Sequence, residues 1–296
     1  MYSDIDRNKR ISTLIIIGFT IFISLIVYAI TYLSDWGEYA LPFALIASII
    51  STITTYYNCD KVVLASVRAR EATKEEDLQL SNILDGLMIA SGLEHKPKLY
   101  VIDSMQPNAF ATGRDPEHSI ICVTKGLIEK LNYHELEGVV AHELSHIKNY
   151  DIRLNAIVST MVGFAVMLAD ISFRSLGRRS GSSNSEGNGN VVLIILGVLA
   201  LILAPIASKL IQLAVSRRRE YLADATAVSF TRNPDALISA LERITQDPDE
   251  LETANNATAH MFFASPFKES ETFKLSALMS THPPVEARIK AIRELE

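Results

Sequence analysis

The sequence has few cysteines and no long basic run, and both absences exclude classes of protein. Its 296 residues include two cysteines, Cys59 and Cys122, which lie far apart without the C-x-x-C spacing of many metal and redox sites. They predict free thiols on the reducing side of a membrane. No cluster of lysines and arginines is long enough to indicate nucleic-acid binding, and the net charge is −6. No internal repeat is visible.

Charged residues are also missing from several long stretches, which indicates an integral membrane protein. Residues 11–33 carry no charge over 23 positions, which span roughly 35 Å as a helix and exceed a bilayer core of about 30 Å. Residues 39–57 and 191–208 are uncharged as well. Residues 154–173 are a weaker candidate because Asp170 interrupts them, and a buried soluble helix is the alternative there. We predict four transmembrane helices, of which the first is too long for a cleaved signal peptide.

Basic residues at the ends of these stretches predict the orientation. They occur at 7–10, before the first span, at 61–70, after the second, and at 217–219, after the last. By the positive-inside rule, both termini and the parts outside the bilayer are predicted to be cytoplasmic. The arginines at 174–179, in the loop after the third span, argue against this topology.

The segments outside the spans predict helices and a small sheet. Residues 61–95 have helical periodicity ended by Gly92. Three β-type runs, 98–103, 108–112 and 118–124, predict an antiparallel sheet. Further helices are predicted over 133–149, from the fourth span through to about Phe230, and after Pro283–Pro284. Residues 245–280 are predicted to be irregular with helical pieces.

The most informative stretch is VVAHELSHIKN at 139–149, which contains the pattern H-E-x-x-H. His142 and His146 are four residues apart, so on a helix both imidazoles lie on one face and can bind a single Zn²⁺. Glu143 is turned about 100° from His142, which suits a general base acting on water beside the metal. With seven histidines in the chain, a chance match is about one in a hundred.

A catalytic zinc site needs a third protein ligand and an open position. None of the other histidines has a suitable spacing to a partner. A carboxylate on another helix is the other usual ligand, and Glu220, in RRREYLAD, is a candidate because it follows the fourth predicted span at the same membrane face as His142 and His146. Asp224, one turn later, could hold the second nitrogen of a ligating histidine. Taken alone, a glutamate and an aspartate four residues apart more often form a solvated helix face.

Four blocks in this order resemble the HtpX-type membrane zinc metalloproteases, relatives of the CAAX prenyl proteases. They are NAFATG (108–113), LEGVVAHELSHIKNYD (136–151), RRREYLADATAV (217–228) and THPPVEARI (281–289). The resemblance implies an endopeptidase of the cell inner membrane with one Zn²⁺ per subunit at a cytoplasmic site, which hydrolyses misfolded or damaged membrane proteins. It also implies that Glu220 is a ligand, and that Asn108 and His282 lie at the substrate cleft.

Substrate is expected to add as an extended strand along 108–112. In this interpretation His282 donates to the oxyanion of the transition state. The alternatives are that Asn108 starts a turn and that His282 caps the last helix. Arg288 either pairs with a carboxylate near the site or lies on a solvated face.

Two other functions compete with the endopeptidase: a zinc-bound scaffold or adaptor without turnover, and a transporter or channel. An intact Glu143 argues against the scaffold. A transporter would need polar groups in several spans, and Asp170 is the one such group in the predicted spans. The predicted fold is mainly α, with four transmembrane helices and a cytoplasmic zincin-like α+β catalytic domain.

The predicted division of the chain has four parts, and the expected partners are protein substrates and the lipid bilayer. The parts are a transmembrane hairpin (1–60), a first catalytic part (61–153), a second hairpin with a flexible loop at 177–190 (154–215), and a second catalytic part (216–296). Neither the oligomeric state nor the physiological substrates can be predicted from the sequence.

Overall fold

The computed structural model describes residues 2–33, 36–177, 206, 210–211, 216–267 and 283–295. This part of the chain is mainly helical and contains one small sheet. Its longer helices are α1 (Tyr2–Leu33), α2 (Ala40–Ser66), α3 (Lys74–Ser91), α4 (Lys125–Lys130), α5 (Tyr133–Lys148), α6 (Asp151–Gly177), α7 (Arg217–Thr231), α8 (Pro234–Gln246) and α9 (Val285–Arg293). The strands are β1 (Arg70–Glu71), β2 (Lys98–Ile102), β3 (Ala109–Gly113) and β4 (Ser119–Thr124).

Two helices among these residues are long and apolar enough to cross a membrane. The candidate spans are Ile5–Ala29 and Gly37–Ser66. Their large apolar side chains remain exposed on the protein surface, between 57% and 68% for Leu14, Ile21, Leu25, Ile46 and Ile50. A continuous exposed apolar surface of this kind indicates contact with lipid.

The other two predicted spans are not established. The third, 154–173, lies within α6, which is 27 residues long but is not one of the two candidate spans. Asp170 in α6 is exposed. The fourth, 191–208, lies outside the described residues except for position 206, as does the predicted loop 177–190 beyond Gly177.

The prediction of one helix over 61–95 is wrong, because the chain breaks there into α2, β1 and α3. Arg68 has a φ of 56°, a left-handed conformation that ends α2, and β1 follows at once. Thr73 then starts α3 with a capping box that includes Glu76. Gly92 ends α3 in the left-handed conformation, as predicted.

The prediction of an antiparallel sheet is also wrong, because the sheet is mixed with the order β1-β2-β4-β3. β4 pairs parallel to β2, while β3 pairs antiparallel to β4 on its far side. After β2 the chain leaves one position of the sheet open and forms β3 beyond it, and β4 then fills the position between β2 and β3. β3 is therefore an edge strand although it precedes β4 in the sequence. This order brings β3 beside α5.

A third difference concerns α7, predicted as a continuation of the fourth span. Ser216 has an extended backbone, with φ −143° and ψ 113°, and α7 begins at Arg217. The break before Pro234 is as predicted, since Asn233 caps α8. Residues 247–267 contain only a short 3-10 turn, Ala259–Met261, in agreement with the predicted irregular chain.

The core outside the spans surrounds α5. Leu136, Val139, Val140, Leu144 and Ile147 of this helix are at most 1% exposed. They share one apolar cluster with side chains of α3, the sheet and α8. Because α5 is enclosed by these elements, its histidines are held in a rigid setting.

Candidate metal centre

The helix that carries the two histidines is fixed at its start by its own sequence. The side chain of Asn132 accepts hydrogen bonds from the amides of His134 and Glu135, while Glu135 accepts one from the amide of Asn132. This is the predicted capping box. One turn apart on α5, His142 and His146 bring their Nε2 atoms to 3.1 Å from each other.

Glu220, on α7, completes a cluster that could hold a metal ion. Its Oε2 lies 3.9 Å from Nε2 of His142, and its Oε1 lies 3.6 Å from Nε2 of His146. Tetrahedral Zn²⁺ with ligand bonds of about 2.0–2.1 Å separates its ligand atoms by about 3.3 Å. The three observed separations bracket that value, so these residues fit a zinc ion.

His142 is held from behind by a buried ion pair. Its Nδ1 lies 2.9 Å from Oδ1 of Asp224, and Arg288 donates to both Asp224 oxygens at 2.9 and 2.7 Å. Burial raises the pKa of Asp224, but the two bonds from Arg288 outweigh it and lower that pKa to about 2. Burial lowers the pKa of His142 to about 4, so this ring is neutral and able to bind a metal.

His146 is held by a carboxylate that the sequence analysis did not single out. Its Nδ1 lies 3.0 Å from Oδ2 of Asp151, the first residue of α6. Burial lowers the pKa of His146, but Asp151 and Glu220 outweigh it and raise that pKa to about 9. The negative charge that favours a proton on this ring would equally favour a divalent cation beside it.

Glu143 is buried next to the histidines and contacts the edge strand. Its carboxylate accepts a hydrogen bond from the backbone amide of Ala111 in β3. Burial raises the pKa of Glu143 to about 7, and the nearby charge of Glu220 adds to the increase. A carboxylate with this pKa can accept and release a proton near neutral pH, as a general base requires.

Two predicted substrate-binding residues have different outcomes. The Asn108 side chain is fully buried, donates to the carbonyl of Ala264 at 3.0 Å and accepts from the amide of Ala264 at 3.2 Å. These bonds join the 263–264 segment to the start of β3, and a substrate role for Asn108 stays a prediction. His282 lies outside the described residues. Arg288 is the buried partner of a carboxylate, which was one of its two predicted roles.

Comparison with known proteins identifies the family. Residues 74–296 match the model of peptidase family M48. A protease HtpX homologue from Dictyoglomus thermophilum is 41% identical over 292 residues, covering 99% of this chain and 94% of the relative. Another from Thermoanaerobacter pseudethanolicus is 39% identical, covering 98% of this chain and 96% of the relative. The chain belongs to peptidase family M48.

Membership of M48, with protease relatives over the full length, makes the protein a membrane-bound metalloprotease. The predicted enzyme class is thus confirmed, the scaffold alternative is not favoured, and the family implies a metal, typically zinc. Ste24p from S. mikatae is a structural relative, 18% identical with a TM-score of 0.49, covering 97% of this chain and 66% of that one. At this level the likeness adds nothing to the M48 assignment.

Proposed function

We propose that this M48 protein is a zinc-dependent endopeptidase of the cell inner membrane that cleaves misfolded or damaged membrane proteins at the cytoplasmic face. The observation that carries the proposal is the meeting of His142, His146 and Glu220, from two helices far apart in the sequence. Their imidazole Nε2 atoms and carboxylate oxygens lie 3.1–3.9 Å from one another. The exposed apolar surfaces of α1 and α2 support a setting in the bilayer, where membrane proteins are the nearest substrates.

The three clustered residues would hold Zn²⁺, and Glu143 would act as general base. When bound, zinc supplies a Lewis acid for the scissile carbonyl and lowers the pKa of an attacking water. Glu143 would take the proton from that water and deliver it to the leaving amine, for which its pKa of about 7 is suited. Asp224 and Asp151 would keep the two rings oriented by bonding their Nδ1 atoms.

The edge strand β3 is the proposed binding site for an extended substrate. In an antiparallel pair, alternate residues direct their backbone groups away from the partner strand. At Ala109 the outward carbonyl already accepts a hydrogen bond from the amide of Phe263 at 2.8 Å. The amide of Ala111 is bonded to Glu143, so pairing with substrate would run from the carbonyl of Ala111 toward Gly113. It requires the groups that bury this edge to move aside. His282 would donate to the oxyanion.

Three detergent-purified forms test the proposal: wild type, Glu220→Ala and Glu143→Gln. We expect wild type to contain one zinc ion per chain, Glu220→Ala to lose most of it, and Glu143→Gln to keep the zinc but lose cleavage of casein. Glu129→Gln is a matched control, because Glu129 is a half-exposed carboxylate whose partner is Lys125 on the surface. The mechanism is wrong if Glu143→Gln cleaves as fast as this control.

A further inference from the structure

The turn between α5 and α6 is short and has an unusual backbone. It consists of Asn149 and Tyr150, followed by Asp151 as the first residue of α6. Tyr150 has a φ of 60°, which non-glycine residues seldom adopt. Because Asp151 holds His146, the conformation of this turn determines where one of the clustered imidazoles points.

The first turns of α1 contact all three of these residues. Asn8 donates from Nδ2 to Oδ1 of Asp151 at 2.7 Å and to the carbonyl of Asn149 at 3.1 Å. The ammonium of Lys9 lies 4.1 Å from the centre of the Tyr150 ring. Asn8 is 4% exposed, so its bonds are shielded from water and their loss is not compensated by solvent.

This contact is part of a longer helix interface. Ile11 and Ile15 of α1 pack against the cluster formed by Leu154, Val158 and Val162 of α6. The rings of Phe19 and Phe164 meet edge to face, with their centroids 5.9 Å apart. Packing of α1 along α6 thus fixes the position of Asn8 relative to the turn between α5 and α6.

A second donor reaches the same carboxylate from α7. Arg219, next to Glu220, donates from Nη1 to Oδ1 of Asp151 at 3.1 Å. One oxygen of Asp151 therefore accepts from Asn8 and Arg219, while the other faces Nδ1 of His146 at 3.0 Å. With both oxygens held in this way, the Nδ1 of His146 carries the proton and its Nε2 is directed at the cluster.

We propose that Asn8 is a positioning residue of the metal site. By holding Asp151 and the turn before it, Asn8 orients His146, which makes the amino-terminal membrane helix a component of the site as well as an anchor. The inference rests on the proposed zinc site. Groups that orient metal ligands change metal affinity by about 10–100-fold when they are removed.

The test is the zinc affinity of the full chain in detergent, measured by competition with a fluorescent chelator. Asn8→Leu keeps the size of the side chain and the helix but removes both hydrogen bonds. Asn58→Leu is the matched control, because Asn58 lies on α2 and its amide donates within the helix to the carbonyl of Thr54. We expect Asn8→Leu to weaken zinc binding about tenfold or more and Asn58→Leu to leave it unchanged.

A purely structural role for Asn8 would give a different result. Melting temperatures with and without zinc would then fall by the same amount in Asn8→Leu, and zinc affinity would match that of wild type. In our proposal the rise in melting temperature on adding zinc becomes smaller in Asn8→Leu, because the rise reports affinity. If Asn8→Leu binds zinc as tightly as wild type, or if Asn58→Leu loses as much affinity, the role of Asn8 is wrong but the proposed zinc site stands. If the wild-type protein binds no zinc, both the role of Asn8 and the proposed function are wrong.

Discussion

The ion pair between Arg288 and Asp224 offers a quantitative test of how the site is built. Both side chains are at most 2% exposed, and two hydrogen bonds of 2.9 and 2.7 Å join them. Arg288→Met removes the guanidinium, keeps much of the volume and leaves the buried charge of Asp224 with the neutral ring of His142, 2.9 Å away, as its partner. Breaking a buried pair in this way costs about 3–5 kcal/mol of unfolding free energy.

The double substitution separates the pair from the rest of the packing. Asp224→Asn alone removes the negative charge beside the guanidinium of Arg288, which keeps its bond of 2.9 Å to the carbonyl of Phe263. Arg288→Met with Asp224→Asn removes both charges at once, so its cost should be smaller than the sum of the two single costs. We expect a coupling energy of about 2–3 kcal/mol, at the upper end of the range of about 0.5–3 kcal/mol for residues in direct contact, because two charged hydrogen bonds join this pair.

Urea-dependent proteolysis of the detergent-solubilised chain, in the presence of a chelator, measures this coupling without a contribution from bound metal. Cleavage after a short protease pulse reports the fraction unfolded at each urea concentration. Additive single and double costs would refute the pairing. A cost below about 1 kcal/mol for Arg288→Met would show that the guanidinium is not buried against Asp224.

Two further predictions concern regions away from the histidines. A Cβ on Gly126 would lie 2.0 Å from the carbonyl oxygen of Met105, so Gly126→Ala should lower the free energy of unfolding, measured by urea titration, by about 1–3 kcal/mol. Gly86→Ala, with nothing within 4 Å, should raise it by about 0.5–1 kcal/mol, and the reverse order would contradict the packing. Hydrogen bonds from Arg70 lower the pKa of Glu76 from 4.5 to about 2. Allowing for solvent screening, Glu76→Gln should cost about 1 kcal/mol above pH 4.5. That difference from wild type should disappear as the pH falls from 4.5 toward 2, and a pH-independent difference would exclude the ion pair.

The parts of the site that follow local rules could be predicted from the sequence. His142 and His146 share a face because of helical periodicity, and Asn132 with Glu135 marks where their helix begins. Glu220 could be proposed from its place after the fourth predicted span and from family resemblance, and the structure groups it with the two histidines in a cluster that could hold a metal ion. Its role as a ligand stays a prediction.

The parts that depend on chain crossings could not be predicted. Asp151 follows His146 by five residues, a spacing that would not bring the two together on one helix. They meet because the left-handed backbone of Tyr150 turns the chain between them. The parallel pairing of β2 with β4 likewise depends on the path of the connecting chain, and residues 70–71 are too few to show a strand pattern.

The charges around the cluster explain why a divalent cation suits it. Asp151, Asp224, Glu143 and Glu220 are all at most 8% exposed. Asp151 pairs with the guanidinium of Arg219, and Asp224 pairs with that of Arg288. Without metal, His146 is protonated because its pKa is raised to about 9, and binding an ion requires it to lose that proton. With both histidines then neutral and Glu143 ionised, four carboxylates against two arginines leave two negative charges where desolvation is expensive. The repulsion is already visible at Glu143, whose pKa is raised partly by Glu220. An ion of charge +2 between the histidines and Glu220 balances this excess, so metal binding and the stability of the surrounding core are coupled.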